Sequence, residues 1–117
     1  MSCRILVDDT EFYRLLRLEG SDFLPAQQAE FRTTFQDLLD SPAKTPVLID
    51  TTGLGLVGSC CLSSVIELAM YCHRKEYPVG IIESRPTTLD VYEVVSIHSI
   101  VPVFYTLEEA HSSLQRT

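Results

Sequence analysis

The sequence has no tryptophan, only nine Lys and Arg against sixteen Asp and Glu, and four cysteines in no familiar spacing. It also has no long apolar run, and each shortage excludes something. A helix that spans a bilayer needs about 20 consecutive apolar residues, and no stretch approaches that. The N-terminus, Met1-Ser2-Cys3-Arg4, lacks the apolar region of a secretory signal. The cytoplasm is therefore the expected location. With a net charge of −7 and a pI near 4.8, the chain is poorly suited to phosphate backbones, which bind through clustered Lys and Arg. Its basic residues are scattered, and no run exceeds Arg74-Lys75. Neither nucleic acid nor an anionic membrane is an expected partner. A basic face on another protein suits this charge better, although acidity also serves solubility.

The cysteines Cys3, Cys60, Cys61 and Cys72 form neither a C-x-x-C pair nor a zinc-ribbon pattern. Adjacent Cys60 and Cys61 offer poor geometry for one structural metal, and a site built on Cys72 and His73 lacks well-spaced further ligands. In a reducing compartment all four read as small apolar residues. No metal and no cofactor is expected.

What is present describes an ordinary globular chain. Its 117 residues, 45% hydrophobic and 21% charged, fit one domain over residues 1–117 with a core of its own. Two β-leaning segments, Cys3 to Val7 and Phe12 to Glu19, flank Asp8-Asp9-Thr10-Glu11, which predicts a hairpin. Phe31, Phe35, Leu38 and Leu39 fall on one face of a helix over residues 26–40, with Pro25 in its first turn and Ser41-Pro42 closing it. Val47-Leu48-Ile49-Asp50 reads as a strand buried on both faces, followed by a Gly-containing loop over residues 51–58. Leu62, Val65, Ile66, Ala69 and Cys72 mark a second helix, Ser59 to Arg74. Val79 to Glu83 is the next buried strand, so the two strands are expected parallel with a right-handed crossover. A third helix is predicted over 89–97, its apolar face Val91, Val94 and Val95. A short strand over 101–104 contains Pro102 and so belongs at an edge. Thr106-Leu107-Glu108-Glu109 is a capping box opening the last helix. The order is ββαβαβαβα, an α/β fold with a mixed sheet and about four helices. Phe31, Phe35, Leu38, Leu62, Ile66 and Val94 are the expected core.

Three words in this order resemble the STAS family, the sulfate transporter and anti-sigma factor antagonist domains, over residues 12–114. Leu18-Glu19-Gly20 is similar to that family's Gly-Glu-Leu-Asp turn. Val47-Leu48-Ile49-Asp50 followed by Leu56-Val57-Gly58-Ser59-Cys60-Cys61-Leu62 resembles its strand leading to Asp-Ser-Ser-Gly-Leu. Ile97 to Phe104 followed by Leu107-Glu108-Glu109-Ala110 is similar to its last strand and helix. The resemblance implies a regulatory protein that docks on an anti-sigma factor, itself a serine kinase, and is released when a serine at the start of the second helix is phosphorylated. Aligned through Leu62, that serine is Ser59. Gly58 stands in place of the preceding aspartate, Cys60 and Cys61 follow, and Phe23 occupies the turn-aspartate position with Asp22 one residue earlier. The implied partner surface is Asp22, Asp50, Gly58, Ser59, Cys60, Cys61 and Leu62. The alternative is a STAS module that never meets a kinase, and instead binds a small ligand or assembles a larger complex.

Read as residues alone, Ser59 is an N-cap worth about 1 kcal/mol, at a helix start whose dipole and free amides favour an anion. Asp50 is placed to orient the loop through backbone amides. Gly53, Gly55 and Gly58 lack the Gly-Lys-Ser/Thr of a phosphate loop and are expected to serve tight turning. His73, His98 and His111 have no nucleophile or acid in pattern beside them, and Ser63, Ser64 and Ser99 no nucleophile elbow. His98 reads as a helix C-terminal residue. No catalytic constellation is legible, so no enzyme is expected.

Overall fold

The computed structural model describes residues 3–20, 23–40, 45–55 and 57–115. The chain opens with the predicted hairpin, β1 (Arg4–Asp9) and β2 (Arg14–Gly20), paired antiparallel from Arg4↔Glu19 to Asp9↔Arg14. Thr10 holds its turn. The hydroxyl accepts from the Phe12 and Tyr13 amides at 3.2 and 3.0 Å. Then follow α1 (Pro25–Leu39), β3 (Val47–Leu54), α2 (Ser59–Arg74), β4 (Val79–Ile82), α3 (Pro86–Val94), a single 3₁₀ turn (Ile97–Ser99), β5 (Val103–Phe104) and α4 (Leu107–Gln115). The sheet order is β1-β2-β3-β4-β5, with β2, β3, β4 and β5 mutually parallel. Val47 lies opposite Val79 and Ile49 opposite Ile81, as a βαβ unit requires.

Strand alternation divides the core in two. Leu16, Leu18, Ile49 and Ile81 meet Phe31 and Phe35 of α1, Val65 and Leu68 of α2, and Tyr92 of α3. On the other face Leu15, Leu48, Ile82 and Phe104 lie with Ala110 of α4. Both helix ends near the start of the sheet are tied. Arg14 Nη1 donates to the Leu38 carbonyl and Tyr77 Oη to the Leu39 carbonyl, satisfying orphan acceptors at the negative end of α1. α2 closes in a Schellman motif: the Glu76 amide donates to His73 O and the Tyr77 amide to Cys72 O, with Glu76 at φ 62. Thr106 caps α4, accepting from the Glu109 amide at 3.1 Å.

Several expectations need correction. β3 runs on to Leu54 because β2 continues beside it to Gly20, so the loop before α2 is shorter than residues 51–58. Gly53 belongs to that strand and serves close approach instead of turning: a Cβ there would lie 2.8 Å from Glu19 Cγ and 2.9 Å from Leu18 O. α3 begins three residues early, at Pro86, whose fixed φ suits a first helical position. That start turns Thr88 and Tyr92 inward and leaves Val94 83% exposed, with Val91 and Val95 also outside. Leu38, Leu62 and Ile66 are only partly buried, at the margin of the core that holds Phe31 and Phe35. The helix-closing Ser41-Pro42 lies outside the described residues.

Candidate functional site

The crossover from β3 to α2 delivers Ser59 to the carboxyl-terminal end of the parallel strands. Val57 is buried in the larger core and Gly58 is extended, at φ −97° and ψ −172°. Gly58 is therefore the N-cap, its carbonyl accepting from the Leu62 amide at 3.0 Å. Ser59 is the first helical residue, exposed, and is not the cap that its sequence position suggests. No side chain caps this helix, and its first turn carries no acidic residue. Among the described residues of its own first turn, the positive end of the dipole has no counter-charge.

The other residues picked from the sequence separate by orientation. Cys60 is half-buried, Leu62 is packed partly against the core, and Cys61 is fully buried. Burial pushes the Cys61 thiol up to about 12, and Cys3, Glu83 and Cys60 add to the shift. Burial pushes Cys72 to about 12 as well. Neither is a thiolate at neutral pH. Phe23 is a core residue, edge-to-face with Phe31 at 5.9 Å, while Asp22 lies outside the described residues. Asp50 alternates onto the α4 face of β3, beside its pair Ile82, whereas Ser59 starts a helix on the opposite face. Asp50 Oδ1 accepts from the Thr52 amide at 2.9 Å and the Thr52 hydroxyl at 2.5 Å. It orients backbone locally, as expected, and is not brought to Ser59. Among the described residues no group of three or more His, Cys, Asp or Glu is placed to hold a metal. His98 sits in the 3₁₀ turn, exposed.

Sequence reading missed the polar cluster that holds this corner. Glu83 follows β4 and is 0% exposed. Its Oε1 accepts from Thr51 Oγ1 at 2.8 Å and Arg85 Nη2 at 2.9 Å. Its Oε2 accepts from the Ser84 and Arg85 amides, each at 3.0 Å, and from Arg85 Nε at 3.1 Å. Burial alone would raise the carboxyl, but the bonds from Arg85 and Thr51 outweigh it and hold Glu83 below the usual range. Thr51 also shares a hydrogen bond with Tyr92 Oη at 2.9 Å. Arg85 spends its remaining donors on β3, giving Nη2 to Thr51 O at 2.7 Å and Nη1 to Leu54 O. One guanidinium thus joins the end of β4 and the start of α3 to the last turn of chain before α2. The legible signal was a charged residue directly after Val79-Gly80-Ile81-Ile82, with an arginine two residues on.

No family model matches the chain. A Mycobacterium tuberculosis protein described as a candidate anti-anti-sigma factor is 22% identical over 68 residues, 58% of this chain and 46% of that protein. The chain thus matches less than half the length of that relative. Among solved structures, an anti-sigma factor antagonist from Mycobacterium paratuberculosis superposes with a TM-score of 0.78 at 19% identity. The superposition covers 97% of this chain and 94% of that one. An anti-sigma factor antagonist (STAS) domain protein from Planctomyces limnophilus gives 0.74 at 15% identity, covering 98% and 99%. The chain has the STAS fold. Within the STAS fold of this chain, Ser59, Cys60 and Gly58 form the outward part of the corner, and the Glu83–Arg85 cluster forms its buried support. No helix among the described residues is long and apolar enough to cross a membrane.

Proposed function

We propose that the chain is an anti-sigma factor antagonist, which docks through the start of α2 on an anti-sigma factor that is also a serine kinase. Ser59 is the residue phosphorylated, and Gly58, Cys60 and Leu62 border the contact. The observation that carries this reading is an exposed serine at the first position of α2, with no side-chain cap and no first-turn acid, on a STAS fold. A phosphate adds nearly two negative charges there. The free amides and dipole of α2 accommodate that charge within the domain. A partner surface shaped for a neutral hydroxyl does not.

The test uses candidate anti-sigma kinases encoded by the source organism, with the chain as wild type, Ser59→Ala and Ser59→Asp. The wild type is expected to be labelled by ATP and Ser59→Ala not. Ser59→Asp is expected to lose affinity at an unchanged melting temperature. Equal partner recovery with all three chains would refute the switch. It would favour a binding or scaffold module, to which Gly58 in the aspartate position also points.

A further inference from the structure

The opposite end of α2 carries a second surface, independent of the Ser59 reading. Between the last turns of α2 and the 3₁₀ turn lies a groove of about 330 Å³, lined by Met70, His73, Arg74, Ser99 and Ile100. Its apolar side chains are open to solvent, with Met70 55% and Ile100 40% exposed. Met70 and Arg74 lie 11 and 15 positions along α2 from Ser59, about 16 and 22 Å at 1.5 Å per step.

The charge at this groove is out of keeping with the rest of the chain. Of the described Lys and Arg residues, Arg4, Arg14, Arg17, Arg32 and Arg85 each pair with a carboxylate. Arg74, which lines the groove, and Lys75, the C-cap residue beside it, do not; they lie 5.7 and 5.8 Å from the centroid of the Tyr71 ring. The C-terminal dipole of α2 favours some cation here. It does not account for two neighbouring cations left without carboxylates in a chain of net charge −7. Stacking on Tyr71, itself edge-to-face with Phe35, limits the rotamer freedom of the two cations and reduces the entropy lost on engaging a ligand.

We propose that this groove is a docking surface for an acidic segment of a partner protein. An apolar anchor side chain of that segment lies between Met70 and Ile100, and its flanking carboxylates meet Arg74 and Lys75. The chemistry is that of an apolar anchor in a pocket with a charged rim. A random dodecapeptide phage library panned on the wild-type protein tests it, with counter-selection on a Met70→Ser, Arg74→Gln, Lys75→Gln variant. All three side chains are exposed or half-exposed, so the variant should keep the wild-type circular dichroism and melting curve; Arg74→Gln, Lys75→Gln alone is the second variant should it not. Enriched peptides are expected to carry Asp or Glu beside an aliphatic or aromatic residue. Synthetic copies should bind the charge-neutral variant at least about tenfold more weakly, lose affinity with salt, and bind Ser59→Asp as they bind wild type. Peptides without acidic residues, peptides indifferent to the substitutions, or no enrichment would each overturn the proposal. So would self-association in sedimentation equilibrium that disappears in the variant, since that would place a second copy in the groove.

Discussion

Replacing Glu83 by Gln keeps its shape and removes its charge, which isolates what the carboxylate does. In the wild type both oxygens accept, from Thr51, from Arg85 and from two backbone amides. The amide of Gln offers one acceptor and one donor group, so either the Thr51–Arg85 side or the backbone side faces a donor. Hydrogen bonds to charged groups contribute about 1.5–3 kcal/mol against roughly 1 for neutral ones, and breaking a fully buried pair costs about 3–5 kcal/mol. Arg85 is 31% exposed, and water recovers part of that loss. The expected destabilisation is therefore about 2–4 kcal/mol at neutral pH, read from urea unfolding curves. Its pH dependence has a definite sign. The folded carboxyl is held below its ordinary value, near 4.3 for a free Glu. The charge-dependent contribution is present in full above that value and is lost as pH falls through the lower folded one. Wild type and Glu83→Gln should thus differ by a constant amount from pH 6 to 8 and converge below about pH 4. Equal stability at pH 7, or a gap that persists undiminished in acid, would refute the assignment of Glu83 as an ionised buried acceptor.

Phe35→Ala should cost about 3–5 kcal/mol, because the ring is 1% exposed and packs edge-to-face on Phe31 and Tyr71; an unchanged melting curve would contradict that packing. In native protein at pH 7.5 a thiol reagent should modify half-buried Cys60 first, with Cys61 and Cys72 reacting only on unfolding, since burial raises both thiols to about 12. Mass mapping of early adducts on Cys61 or Cys72 would count against this. Gly58→Asp should fold at least as well as wild type and gain a few tenths of a kcal/mol as an N-cap, since its φ is −97° and a Cβ meets nothing within 4 Å. A marked drop in melting temperature would mean that the corner requires glycine after all.

The parts of the fold legible in the sequence were those where hydrophobic period and breakers agree. Phe31 and Phe35 placed α1, and the run from Leu62 to Cys72 placed α2 with both of its ends. Val47-Leu48-Ile49 and Gly80-Ile81-Ile82 gave the parallel pair. α3 was misread because its three valines have helical spacing, yet the buried positions went to Thr88 and Tyr92. A single-sequence period cannot show that a tyrosine hydroxyl has a threonine waiting across the core. The end of β3 was set too early because Thr51 and Thr52 look like loop chemistry, while pairing with β2 keeps the backbone extended. At the site, the order of Gly58 and Ser59 was readable but the cap assignment was not, since it depends on Val57 turning inward. The Glu83–Arg85 cluster was hidden for a different reason. Its members lie on β3, after β4 and in α3, and only the crossover topology brings them together.

That cluster also bears on how a charge at Ser59 could be read by a partner. Arg85 donates to the carbonyls of Thr51 and Leu54, and Leu54 is the last residue of β3 before the turn into α2. Val57 anchors the other side of the turn in the core, and α2 buries Cys61, Val65 and Leu68 completely. A hinge motion at the corner would have to break charge-assisted bonds and expose core side chains together. Both costs exceed the roughly 0.3–1 kcal/mol by which a helix dipole rewards an added anion. A phosphate or aspartate at Ser59 would therefore have too little leverage to move the backbone, and under the proposed function would act by changing the surface that a partner meets. Under the proposed switch, a modification at Ser59 would be transmitted through electrostatics and hydration at one helix start, with the sheet as a rigid support.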